Sequence, residues 1–231
     1  MNILQLDKVA SGSWNRTVTF EVKAGEVLLL LGRNGAGKTT LLNTIAGLLE
    51  IRSGRLSFQD EDITFLSAQE RVKRGLRIAL EGRRLFPRLS VRKNLRLGAF
   101  GRLQANAVEA DIEWVTGIFP SLLEKLDQPA GTLSGGQQTQ LNIARALMGR
   151  PKLLLLDEPA LGLDPKNVIT LIGVVKKARD ETGLTAVIAE QGGQFAEAFP
   201  QRVLLVVGGE IVFDGPWARV AQEKELLMVL K

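Results

Sequence analysis

Eight consecutive residues, Gly32-Arg33-Asn34-Gly35-Ala36-Gly37-Lys38-Thr39, have the types and spacing to hold a polyphosphate. Glycines let the backbone fold into a concave nest whose N–H groups converge on phosphate oxygens. A helix starting at the same point adds its positive dipole end. Lys38 reaches the β- and γ-phosphates, the Thr39 hydroxyl ligates Mg²⁺, and Thr40 closes the set of candidate nucleotide-binding residues. Further on, Leu153-Leu154-Leu155-Leu156-Asp157-Glu158-Pro159 ends an apolar run on two acids. Asp157 places a carboxylate beside a magnesium water shell, and Glu158 can polarise an attacking water as a general base. A chance Gly-rich turn, or two acids at a strand end facing solvent, would explain either element alone. Together they point to a bound nucleotide triphosphate and its hydrolysis.

A third element, Leu133-Ser134-Gly135-Gly136-Gln137, is again an anion cradle, a hydroxyl and glycine amides at the start of a helix-like stretch. It resembles, letter for letter, the signature of ABC ATPases. In that family the signature holds the γ-phosphate of ATP bound to the opposite subunit, so the resemblance implies a head-to-tail dimer. Ser134, Gly136 and Gln137 then bind the cofactor across the seam. Leu161-Gly162-Leu163-Asp164 looks like the loop crossing that seam, with Asp164 its acid. Glu81, in Glu81-Gly82-Arg83-Arg84-Leu85-Phe86-Pro87, occupies the place of the Q-loop glutamine and is a candidate metal ligand with Thr39 and Asp157. Gln191 lies where the switch histidine falls, and joins Lys38 and Glu158 as a candidate catalytic residue. The usual aromatic residue before the P-loop has Trp14 as its counterpart, which either stacks on adenine or packs at the sheet edge. Trp114 and Trp217 read as core or interface residues.

Glu81 to Arg88, Glu190-Gln191 and Leu161-Gly162-Leu163 are similar to an ATP-binding subunit of branched-chain (hydrophobic) amino-acid importers. The resemblance implies ATP and Mg²⁺ as cofactors and a second ATP-binding subunit, a different chain, as partner. It implies transmembrane permease subunits meeting Arg83, Arg84 and Arg88, and a periplasmic or extracellular solute-binding protein acting indirectly. The place implied is the cytoplasmic face of the inner membrane, as a peripheral subunit. The alternative is an ABC ATPase outside transport, acting on ribosomes or DNA. Such proteins usually carry two cassettes or a long coiled-coil insertion, so no nucleic-acid partner is expected. A regulatory subunit that binds nucleotide without hydrolysing it is a third class, which Glu158 argues against.

Composition narrows the chemistry. The 231 residues contain no cysteine, histidine or tyrosine. Disulfides, thiolate or imidazole metal sites and Ser-His-Asp triads are thereby excluded. Catalysis is left to carboxylates, lysine, arginine, backbone amides and a hard cation. The net charge is +5, with the excess between Arg71 and Arg102, either a solvated face or a surface for nucleic acid or anionic lipid. No apolar run approaches the roughly 20 residues that cross a bilayer. The first residues show no signal-peptide pattern, so the chain is expected to stay inside the cell.

The elements that must position these residues follow from periodicity. Residues 3–6 and 17–22 alternate as strands. Residues 27–31 are apolar on both faces, as a central parallel strand requires, and run straight into the Gly-rich loop. A helix is expected from residue 38, closed by Gly47 or by the later Ser53-Gly54 turn, then a short hairpin region over 55–65. Residues 89–148 read as mostly helical. Strands at 153–156, 185–189 and 203–207, a helix at 168–179 and a turn at Gly208-Gly209 complete the pattern. The fold class expected is α/β: a P-loop NTPase core (RecA-like, ABC ATPase) with a small antiparallel β region and an inserted helical signature subdomain. It forms one domain, with its core at 1–88 and 150–231 and the subdomain at about 89–149.

Overall fold

The computed structural model describes residues 1–12, 16–82, 84–100, 105–198 and 201–230. Two sheets face each other across a helix. The smaller sheet is built from β1 (Asn2–Ser11), β2 (Val18–Lys23), β4 (Ile51–Phe58) and the two-residue β5 (Glu61–Asp62), in the order β2-β1-β4-β5, with antiparallel pairs throughout. The expected hairpin over 55–65 is present as the β4–β5 pair, with Ser57 opposite Asp62 and Phe58 opposite Glu61, but β4 starts earlier, at Ile51, and pairs mainly with β1.

The larger sheet contains β3 (Val27–Leu31), β6 (Leu76–Ala79), β7 (Leu153–Asp157), β8 (Thr185–Glu190), β9 (Arg202–Val207) and β10 (Glu210–Pro216). Its order is β10-β9-β3-β8-β7-β6, parallel except for the terminal β9–β10 hairpin. Strands buried on both faces divide their side chains between two cores by the two-residue period. Leu28, Leu30, Leu153, Leu155 and Val187 pack with Leu41, Leu42 and Ile45 of α1 (Lys38–Ala46) and with Leu4, Leu6, Val22 and Phe58 of the smaller sheet. Leu29, Leu31, Leu154, Leu156 and Ile188 point the other way, onto Val168, Leu171 and Val175 of α7 (Pro165–Thr182).

That second core runs without a break into the helices α3 (Val91–Gly98), α4 (Ala105–Ile118), α5 (Pro120–Leu123) and α6 (Gly135–Leu147). Between the sheets lies α2 (Ala68–Lys73), and α8 (Gln194–Ala198), α9 (Trp217–Gln222) and α10 (Lys224–Met228) complete the chain. Helix α1 stops at Gly47, in the left-handed region at φ 77°, the earlier of the two expected stops. Trp217 is buried in the second core, whereas Trp114 is partly buried, with Nε1 donating to Glu181 Oε2 (2.8 Å) and the Arg150 guanidinium 4.5 Å above its ring. No helix among the described residues is long and apolar enough to cross a membrane.

Candidate nucleotide site

The carboxyl ends of β3, β6, β7 and β8 converge, and in a parallel α/β sheet this edge is where ligands bind. β3 delivers the chain to Gly32, whose backbone lies so close to β9 that an added Cβ would sit 2.4 Å from the Val206 carbonyl. Gly35 and Gly37 take φ of +77° and +104°, which curls the loop back before α1 begins at Lys38. Lys38 Nζ donates to the carbonyls of Gly32 (2.7 Å) and Arg33 (3.2 Å) and lies 3.5 Å from Glu158 Oε1. The lysine charge is thus set among the loop's own carbonyls and beside an acid.

At the end of β7, Asp157 is 2% exposed and accepts a hydrogen bond at Oδ1 from Thr39 Oγ1 (3.1 Å). Its other oxygen, Oδ2, is buried with no partner. Burial pushes this carboxyl above the usual aspartate range; the Thr39 bond works against that, and the nearby Glu158 and Glu81 charges add to it. A buried carboxylate oxygen with nothing to bind, next to a threonine hydroxyl, is a donor set that fits a hard divalent cation. Among the described residues no three of His, Cys, Asp and Glu form a cage.

Glu158 sits in the left-handed region at φ +46°, a costly conformation for a side chain with a Cβ. Its N–H donates to the Ala189 carbonyl of β8 (2.9 Å), and its Oε2 accepts from Gln191 Nε2. A cleft of about 710 Å³ opens over these groups, lined by Asn34, Gly35, Gly37, Lys38, Thr39, Thr40, Glu81, Glu158, Leu161, Gln191, Gly208 and Gly209. Arg33 and Ala36 border a separate hollow of about 450 Å³ beside it, and Gly32 lies beneath the loop as an acceptor for Lys38.

Ser134, Gly136, Gln137 and Asp164 do not reach this cleft. Ser134 caps α6: its Oγ accepts from the Gln137 N–H (3.3 Å), and Gln137 Oε1 accepts from the Ser134 N–H (3.1 Å). Asp164 caps α7 by accepting from the Asn167 N–H (3.0 Å), and Asn167 packs on Gly136, 3.1 Å from where a Cβ would lie. The two motifs therefore form a cluster of their own. Trp14 and Arg83 lie outside the described residues.

Two connections were not legible in the motifs. Asn142, buried in α6, donates to the Leu80 carbonyl (3.0 Å), and Arg145 donates to the Arg84 carbonyl (3.0 Å), so the helix led by the signature grips both sides of Glu81. The sole sequence hint is a polar residue between Leu141 and Ile143. The second is Glu190, buried at the end of β8, whose Oε1 accepts from the Ala160 N–H (2.9 Å).

The basic run is not one surface. Arg71 is buried, bonding the carbonyls of Thr44, Ile45, Thr64 and Leu66. Arg74 pairs with Glu61 and Arg96 with Glu109, while Arg92 meets Glu109 and Asp127. Fold scatters the run over α2, β6 and α3, and a period-based reading of charge could not see the partners.

Residues 15–161 match the ABC transporter family. The chain belongs to that family. It is the family's ATP-binding, ATP-hydrolysing cassette, and the resemblance read from the signature holds. The cassette is 40% identical over 195 residues to the high-affinity branched-chain amino acid transport ATP-binding protein BraG of Pseudomonas aeruginosa, covering 84% of this chain and 83% of that protein. It is 39% identical over 204 residues to the molybdate/tungstate import ATP-binding protein WtpC of Thermococcus kodakarensis, covering 87% and 60%. The structure of MJ1267, an ATP-binding cassette of an ABC transporter in its ADP conformation, superposes with a TM-score of 0.88 at 25% identity, over 99% of this chain and 98% of that one.

Proposed function

We propose that the cassette drives the import of a small solute, branched-chain or other hydrophobic amino acids, by hydrolysing MgATP at a site shared between two subunits. The observation that carries the reading is the convergence of Lys38, Thr39, Asp157, Glu158 and Gln191 on one open cleft, with the signature held apart from it. A site lacking one wall calls for a second subunit to supply it, and a head-to-tail pairing sets the signature of each subunit, here Ser134, Gly136 and Gln137, over the P-loop of the other. The likeness to BraG supports the solute class, although the identity to WtpC, whose name gives molybdate and tungstate as cargo, is nearly as high.

In this reading the P-loop amides and Lys38 hold the β- and γ-phosphates. Thr39, Asp157 and Glu81 would hold Mg²⁺, which would neutralise phosphate charge there. Glu158 accepts a proton from the attacking water, and Gln191, whose amide now rests on Glu158, turns to donate to the γ-phosphate. Trp14 stacks on adenine. The exposed Arg84, Phe86 and Arg88 of the segment after β6 meet the permease at the cytoplasmic face of the membrane, while 89–149 acts as the helical subdomain carrying the signature to its partner. The test is MgATP turnover by the purified chain. Lys38→Ala abolishes it, because the charge facing the phosphates is lost, and added RNA or DNA leaves the wild-type rate unchanged. Stimulation by nucleic acid, or turnover surviving Lys38→Ala, would refute the assignment.

A further inference from the structure

The last residue of β8 ties together three parts of the site. The Glu190 carbonyl accepts from the Gly32 N–H at the start of the P-loop (3.3 Å). Its carboxylate, 8% exposed, accepts from the Ala160 N–H in the turn after β7 (2.9 Å). The residue that follows, Gln191, is bonded to Glu158. The turn held by this carboxylate is short and internally tied, with Leu161 N–H donating to Glu158 O and Leu163 N–H to Ala160 O. It leads directly into Asp164, which caps α7 by accepting from the N–H of Asn167, the residue that lies against the signature's Gly136.

We propose that Glu190 is a positioning residue that couples the occupant of the nucleotide cleft to the 159–164 loop. A γ-phosphate drawing Gln191 away from Glu158 pulls on the end of β8. The buried carboxylate passes that displacement to Ala160, and so to Leu161 at the rim of the cleft and Asp164 beyond it. Burying a carboxylate is unfavourable unless it is bonded, so a neutral apolar residue would be the better choice for packing alone. Burial raises its pKa to about 7, against the pull of the Ala160 and Gln191 N–H groups, with Glu158 as the neighbouring acid and Lys38 as the neighbouring cation. The role needs an acceptor at this place and not a charge, which makes it separable from catalysis by Glu158. The inference rests on the MgATP reading of the cleft.

Hydrogen exchange over residues 159–164 of the full chain, with and without MgATP, tests the coupling, with steady-state turnover and MgATP affinity measured alongside. Wild-type protein should show a loop whose exchange changes on adding MgATP. Glu190→Ala should lose that response and fall about 10²-fold in kcat, the scale of a small misplacement of catalytic groups, while its MgATP affinity stays close to wild type. Glu190→Gln, whose amide oxygen accepts the same bond, should restore both the response and most of the rate. If Glu190→Ala does not fold, Glu190→Leu replaces it. A loop response and kcat unaffected by loss of the carboxylate would overturn the proposal. So would a defect in MgATP affinity equal to that in kcat, or one that glutamine does not rescue. If wild-type protein binds no MgATP at all, the ATP reading itself fails, which is a distinct result.

Discussion

At the scale of single residues, the cleft is built from groups held in unfavourable states. Asp157 keeps a buried oxygen without a partner, Glu158 a left-handed backbone, and Lys38 sits among carbonyls with an acid 3.5 Å away. Such features persist only where the surroundings enforce them, and they mark the place where a ligand relieves the cost. Glu190 makes the same point in a measurable way. Its folded-state pKa of about 7 lies above its ordinary value of 4.5. Between those values the folded chain binds more protons than the unfolded one, so this residue's contribution to stability is full below pH 4.5, lost as pH rises towards 7, and level beyond. Glu190→Gln should remove that slope, so a series of thermal midpoints across this window should decline less steeply for the variant than for wild type.

Elements hold these residues in register, and here the sequence was informative to different depths. β3, β7 and β8 were plain because they are buried on both faces and read as unbroken apolar runs. The P-loop and the acids at the end of β7 follow such runs directly, so their placement could be read with them. β6 was missed: Leu76-Arg77-Ile78-Ala79 lies inside the basic run, and Arg77 breaks the apolar pattern that would have marked it. The short helix α2 went unread for the same reason, although Ser67 and Glu70 form a capping box at its start. Its one buried residue, Arg71, places a guanidinium against the last carbonyls of α1, where it complements the helix dipole behind the P-loop. Arg71→Leu would leave four carbonyls without that donor, and we expect a loss of about 3 kcal/mol in unfolding free energy by chemical denaturation. A loss under about 0.5 kcal/mol, the size of an ordinary surface substitution, would contradict the role assigned to it. The bonds of Glu190 to Ala160 and of Asn142 to Leu80 lay beyond reach of the sequence, since these partners are main-chain groups brought near only by the fold.

The whole molecule presents a P-loop cleft open on one side and a signature that caps α6 apart from it, which on the proposed reading are halves of two sites. In place of the histidine expected at the switch position it has Gln191, whose amide donates a hydrogen bond but carries no positive charge and cannot shuttle a proton. Glu81 adds an acid where a neutral glutamine is usual for the family. Loss of one electrostatic donor to a transition state costs on the order of 10²–10³ in rate. The cassette paired with itself should therefore turn over slowly, and a second, unlike ATP-binding subunit bearing a switch histidine should restore the rate. Full-speed hydrolysis by the purified chain alone would show that Gln191 suffices and the two sites are equal.

On the proposed reading, ATP closes this open cleft against the signature of a second subunit, and Glu158 then takes the proton of the attacking water. Light scattering of Glu158→Gln protein, with and without MgATP, tests it most directly. With the general base removed, ATP should bind and stay, giving a monomer without nucleotide and a stable dimer with MgATP, at a hydrolysis rate reduced about 10³-fold, within the range for losing general-base catalysis. A variant that remains monomeric while saturated with MgATP, or that hydrolyses at the wild-type rate, would contradict it.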